Sequence, residues 1–95
     1  MQNLADITGD NAVHAIILAT PARWVDFTLI GSGTGRIGGT STSSAIGKPL
    51  VASTTGAVWT TPILDGMARY QATEFNAYVP TGSTLSVAYK EGPLL

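Results

Sequence analysis

Six or seven short strands, several of them bounded by turn-forming clusters, follow one another at intervals of about ten residues, the spacing expected of an all-β sandwich or barrel. Residues 8–11, 31–35, 39–47, 53–56 and 80–83 are each built from Gly, Pro, Asn, Asp, Ser or Thr with few other residues. Such residues supply positive φ, a fixed φ or a side chain that bonds its own backbone, and so favour turns. The segments between them suit strands of about 5–6 residues better than helices of about 11–12.

Period-2 alternation agrees with this reading. In residues 24–30, Val25, Phe27 and Leu29 point one way and Trp24, Asp26, Thr28 and Ile30 the other. This is the signature of a half-buried strand. Residues 74–79 repeat it, with Phe75, Ala77 and Val79 opposite Glu74, Asn76 and Tyr78. Residues 84–89 turn Leu85, Val87 and Tyr89 inward, and the turn at 80–83 suggests that these two strands form a hairpin. Residues 12–20 are apolar on both faces and read as a covered strand.

Arg36-Ile37 reads as a short return strand. Residues 48–52 read as an edge strand, because Pro49 cannot donate a ladder bond. Residues 57–61 are a further strand, with Val58 and Trp59 on opposite faces. Residues 63–70 stay open between a turn at Asp65-Gly66 and a helical turn beginning near Met67. The expected fold is all-β, a small antiparallel β-sandwich or barrel of six to seven short strands. Its β domain spans residues 12–90, after an N-terminal arm (1–11) and before a C-terminal tail (91–95).

Composition narrows the function. Charged residues make up 12% of the chain, against about 25% in ordinary domains. Gly, Thr, Ser and Ala fill the difference, and the net charge is −1. No basic stripe is present, so nucleic acid is not an expected partner. The absence of cysteine excludes disulfides and Cys-type zinc sites. The longest apolar run is residues 15–19, too short to span a bilayer, so no membrane partner is expected. The first basic residue is Arg23, so no positively charged leader precedes an apolar run, and synthesis in a cytosol is expected.

The motifs that could carry chemistry fail on context. Gly33-Thr34-Gly35-Arg36-Ile37-Gly38 matches a dinucleotide fingerprint in spacing, but no helix pattern follows and residues near 55 include no acid. Gly47-Lys48-Pro49 lacks the glycine and hydroxyl of a P-loop. His14 would need carboxylate partners such as Asp10 or Asp26 to hold a metal. Asp65 and Glu74 could be paired as glycosidase acids, but a turn role and a solvated strand face account for them. Arg23 with Asp26 reads as a local surface pair. Trp24 and Phe27 are expected in the core, and Trp59 and Tyr78 as exposed aromatics. No catalytic, cofactor-binding or metal-ligating residue is assigned, no cofactor is expected, and the chain reads as a non-enzyme.

Residues 22–28 (Ala22-Arg23-Trp24-Val25-Asp26-Phe27-Thr28) lead to a Gly/Ser/Thr turn and to Gly38-Gly39. A loop with Thr42-Ser43-Ser44, then Gly47, Pro49 and Leu50, follow. Near the end come Asn76-Ala77-Tyr78-Val79 and Leu85-Ser86-Val87-Ala88-Tyr89. This pattern resembles small structural proteins encoded in the virion modules of tailed bacteriophages. The resemblance implies a compact β module on the virion, of the kind that decorates or cements a capsid. The major capsid protein is then the expected partner, and the virion surface the expected location. Self-association, with a trimer favoured, is expected as well.

The contacts expected are the arm with Leu4 and Ile7, the 39–45 loop with Thr42 and Ser43, Tyr78, and the terminal Leu94 and Leu95. The alternative is a tail or fibre module in which Trp59 and Tyr78 stack on host glycans. A small enzyme centred on His14 is the third reading. The charge deficit favours a surface built to be covered by neighbours.

Overall fold

A computed structural model describes residues 1–92 of the chain. Leu94 and Leu95 lie outside the described residues. The described strands are β1 (Gln2–Asn3), β2 (Ile7–Thr8), β3 (Ala12–Ile16), β4 (Ala22–Gly31), β5 (Thr34–Gly38), β6 (Lys48–Val51), β7 (Ala57–Thr60), β8 (Phe75–Val79) and β9 (Ser83–Glu91). They form two antiparallel sheets, β1/β2-β9-β4-β7 and β3-β8-β5-β6, packed as a sandwich. The all-β sandwich read from the turn spacing is the fold that forms. Its strand count exceeds seven because β1 and β2 arise from the segment expected to be an arm. That segment lies along β9, with Gln2 opposite Tyr89 and Ile7 opposite Leu85.

From β2 onward the chain changes sheet at every connection except the β5–β6 hairpin. The order β2-β9-β4-β7 over β3-β8-β5-β6 is that of an eight-stranded, double-sheet jelly roll. The expected pairing of residues 74–79 with 84–89 is therefore corrected. β8 pairs with β3 and β5, whereas β9 pairs with β1, β2 and β4. Alternation shows which face of a strand is inward, but two strands facing each other across a core alternate just as two neighbours do. The connection itself turns over, because Asp10 and Asn11 both donate their N–H to the Val79 carbonyl. Buried Pro80 follows, and its carbonyl receives the Ser83 N–H and hydroxyl.

Residues 12–20 are also corrected. β3 ends at Ile16 and is an edge strand with Ala12, Val13 and Ala15 exposed. The apolar run continues because Leu18 leaves the strand and enters the core, its N–H donating to the Ala72 carbonyl. Residues 63–72 form no helical turn. Tyr70 instead exchanges both backbone bonds with Ala22. The edge position of residues 48–51 holds, with Pro49 opposite Arg36.

The core lies between the sheets. Phe27 stacks on Trp59 of its own sheet at 5.7 Å and meets Phe75 of the opposite sheet edge-on at 5.4 Å. This exchanges the expected roles of the tryptophans. Trp59 is the direct cross-strand partner of Phe27, so both point inward, and Lys48 Nζ lies over the Trp59 ring, 5.3 Å from its centroid. Trp24 precedes inward Val25 and therefore takes the outer face, opposite Lys90. Thr61 prolongs the β4–β7 ladder with its side chain, since the Val25 N–H donates to Thr61 Oγ1 and the Thr61 N–H donates to the Val25 carbonyl.

The two ends of the sandwich differ. At one end four short crossings interlock: the Gly9 N–H donates to Ser83 O, Ser32 to Gly82 O, Gly31 to Ser53 O and Ala52 to Gly33 O. Gly9 is required there because a Cβ would lie 1.8 Å from the Pro80 oxygen. Gly31 has φ of 121°, and a Cβ on it would lie 2.2 Å from the Gly82 oxygen. The other end carries the long connections, residues 17–21, 39–47 and 61–74.

Phe27→Ala is expected to lower unfolding stability by about 3–5 kcal/mol, read from the urea midpoint. Thr61→Val, close in shape, is expected to cost about 1–3 kcal/mol because it leaves the buried Val25 N–H without an acceptor. A Thr61→Val chain as stable as the parent would show that this bond contributes nothing.

Candidate interaction surface

Strands β3, β5 and β7 end, and β4, β6 and β8 begin, at the same end of the sandwich. The register places Ile16 opposite Phe75 and Gly38 opposite Asn76 there. The three long connections therefore emerge at that one end. They carry Ile17, Ile46, Ile63 and Met67, which are 58%, 57%, 60% and 64% exposed. Exposed apolar side chains mark an interaction surface where they form a contiguous patch, and these four share one end of the sandwich.

Hydrogen bonds within the loops and to neighbouring strands hold the segments that carry Ile46, Ile63 and Met67. In residues 39–47, the Thr42 N–H and hydroxyl both donate to the Gly39 carbonyl, at 3.1 and 2.7 Å. Ser43 Oγ accepts from the N–H groups of Ala45 and Ile46, and Ser43 N–H donates back to the Ile46 carbonyl. Arg36 Nη1 fastens the loop's end by donating to Gly47 O at 3.2 Å.

In residues 61–74 the Leu64 N–H donates to Arg23 O, and the Tyr70 hydroxyl donates to Pro62 O at 2.8 Å. Arg69 donates from Nε to Gly92 O and from Nη1 to Gly66 O and Ala68 O, each at 2.7 Å. Glu74 Oε1 accepts the Gln71 N–H at 2.9 Å. The arginines thus serve as loop fasteners. Arg23, at the irregularity in β4 between Ala22 and Trp24, reaches Asp65 at 3.7 Å and not Asp26. Asp26 accepts instead from the Thr60 hydroxyl of the neighbouring strand.

The expected contact residues divide. Thr42 and Ser43 lie at the long-loop end, but their polar groups act within the loop, and Thr42 is buried. Leu4 and Ile7 pack against the core as half-buried residues beside β9, so the arm is a sheet edge and not a free strap. Tyr78 is half-buried on the outer face of the second sheet, between Val13 and Arg36, with its hydroxyl 3.4 Å from Asn11 Oδ1. The exposed positions Ile17, Ile46, Ile63 and Met67 escape the sequence reading. A signal was available for Ile46, a large apolar residue inside the turn-forming segment 39–47, but not for Ile17, which the apolar run 12–20 places in a strand.

The groups considered for chemistry are dispersed. Asp65 and Glu74 each serve their own turn. Among the described residues, no three His, Asp or Glu side chains gather as a metal site. His14 Nε2 lies 2.8 Å from Asp10 Oδ1, while Asp26 belongs to the other sheet. The hydrogen bond from His14, supported by its charge and by the Ala12 N–H, holds the Asp10 carboxyl below its ordinary range. Comparison with protein-family models, with curated proteins and with solved structures gave no match.

An acid whose pKa is depressed on folding adds stability above its unfolded value, here about 3.9. That contribution disappears as the pH falls through the lowered folded value. His14→Ala is therefore expected to move the Asp10 titration midpoint upward toward the ordinary value, as read from carboxyl carbon shifts by NMR. An unchanged midpoint would show that the His14 bond does not set it.

Proposed function

We propose that this protein is a virion structural protein of a tailed phage that binds and stabilises the capsid shell, as a decoration or cement protein. The observation that carries the reading is the set of four exposed apolar side chains at one end of the sandwich, on loops tied down by their own hydrogen bonds. The sequence resemblance to small virion proteins supports it, and so does the low charge of the surface. The jelly-roll strand order adds support by analogy, since viral capsid domains share that architecture.

The mechanism is passive. Burying apolar area at the loop end contributes about 25 cal/mol per Å². Loops that are already ordered lose little entropy on docking. A partner that binds only the assembled shell stabilises it by mass action. Several copies arranged about a symmetry axis, with a trimer favoured, would engage neighbouring capsid subunits together.

A tail or fibre module that binds host glycans is the second reading. Tyr78 favours it, because the ring lies half-exposed on an outer sheet face beside Arg36. Trp59, the other aromatic considered for sugar stacking, faces Phe27 and weakens it.

The test is binding of the purified protein to capsids assembled without it. Ile46→Asp and Ile63→Asp are each expected to weaken binding at least about tenfold, equivalent to roughly 1.4 kcal/mol. Val51→Asp, exposed at the opposite end, is expected to bind like the parent. A parent protein that stays monomeric at high concentration and leaves such capsids unbound would overturn the proposal. Glycan-array binding abolished by Tyr78→Ala would favour the second reading.

A further inference from the structure

We propose that Asp65 and Gly66 form a site of spontaneous backbone isomerisation, at which Asp65 converts to isoaspartate. The inference concerns the chain itself and holds whether or not the loop end binds a shell.

The Asp65 side chain is 92% exposed. Gly66 follows it in a turn that the Ala68 N–H closes onto the Asp65 carbonyl at 3.2 Å. Gly66 has φ of 62°, and a Cβ built on it would meet nothing within 4 Å, so open space surrounds this peptide unit. Among the described residues the Gly66 N–H donates to no acceptor, which leaves its nitrogen free of the ladder bonds that occupy strand amides. The turn lies in the long connection of residues 61–74, and residues 65–68 are all exposed, so no packed side chain shields this peptide unit.

The chemistry follows from this placement. The Gly66 nitrogen attacks Cγ of Asp65, an N–Cγ bond forms, the Cγ–OH bond breaks, and water leaves with the amide hydrogen. The product is a five-membered succinimide. Water then adds to one of the two ring carbonyls. Opening at the Cγ–N bond returns aspartate. Opening at the bond from the α-carbonyl to nitrogen leaves the main chain running through Cγ, with a free α-carboxylate. One water leaves and one returns, so the mass is unchanged and no oxidant or cofactor takes part.

The other aspartates lack this combination. Asp6, Asp10 and Asp26 precede Ile7, Asn11 and Phe27, whose side chains crowd the attacking nitrogen. Asp10 and Asp26 also have their carboxylates engaged by His14 and Thr60, and Asp26 lies within β4. Isomerisation at residue 65 inserts a methylene into the main chain and carries the carboxylate away from Arg23. The 65–68 turn is then lost, along with the fixed placement of Ile63 and Met67 on either side.

The test incubates the folded full-length chain at 37 °C and pH 7.4 for several weeks. Isoaspartate is quantified by isoaspartyl methyltransferase labelling and located by fragmentation that cleaves its Cα–Cβ bond. A synthetic peptide of residues 61–71 gives the unconstrained rate. Isoaspartate is expected at residue 65 at a rate within about tenfold of the peptide's, and faster than at Asp6, Asp10 or Asp26. Asp65→Glu is expected to remove that signal, because its cyclisation would need a slower six-membered ring. A folded-chain rate below a tenth of the peptide's would overturn the proposal. So would a labelling signal that persists undiminished in Asp65→Glu.

Discussion

The Phe27 ring joins the two sheets. It stacks on Trp59 within the first sheet and meets Phe75 of the second edge-on, while Tyr70 closes the far side of Phe75 at 5.5 Å. Aromatic pairs of this kind add about 0.5–1.5 kcal/mol beyond their buried area. Their arrangement also orients the strands around them. With Phe27 inward, Val25 and Leu29 on β4 are inward as well, and the register carries the same sense across to Val87 on β9 and Trp59 on β7. A one-residue slip would turn this whole set toward water, so the apolar pattern holds the register firmly.

With the inner faces committed, the rest of the molecule is arranged by its ends. The short crossings interlock through backbone bonds and leave room only for glycine at positions such as Gly9 and Gly31. The long connections cannot bond to each other so densely. They are held by side chains, chiefly Arg23, Arg69, Thr42 and Ser43. A chain with few charges thus places three of its cations, Arg23, Arg36 and Arg69, against loop carbonyls. The loop end then presents Ile17, Ile46, Ile63 and Met67 beside the exposed carboxylate of Asp65.

Much of the fold was legible because strand formation here is a local matter. The alternation of Val25, Phe27 and Leu29, and that of Leu85, Val87 and Tyr89, states both the element and its buried face. The edge position of Pro49 follows from its missing N–H. Pairing was less legible. β8 and β9 are joined by a turn that suits a hairpin, yet β8 pairs with β3 and β5 in the other sheet, and the Val79 carbonyl is taken by the β2–β3 crossing. The same limit moved Trp59 inward and Trp24 outward, since each position depends on a cross-strand neighbour far away in sequence. Thr42 and Ser43 were found as notable polar loop residues, but the nearby Ile46 that they position was not.

The sequence by itself determined the class of structure: short strands, turns where glycine, proline and small polar residues cluster, and inward faces marked by period-2 apolar residues. These are set by φ/ψ preference and by the side-chain geometry of single strands. Tertiary structure alone decided the jelly-roll order, the docking of residues 1–11 along β9, and the gathering of Ile17, Ile46, Ile63 and Met67 at one end. Those outcomes depend on contacts between residues distant in the chain. No local preference encodes them, because the same alternation fits a neighbour in one sheet and a partner across the core equally well.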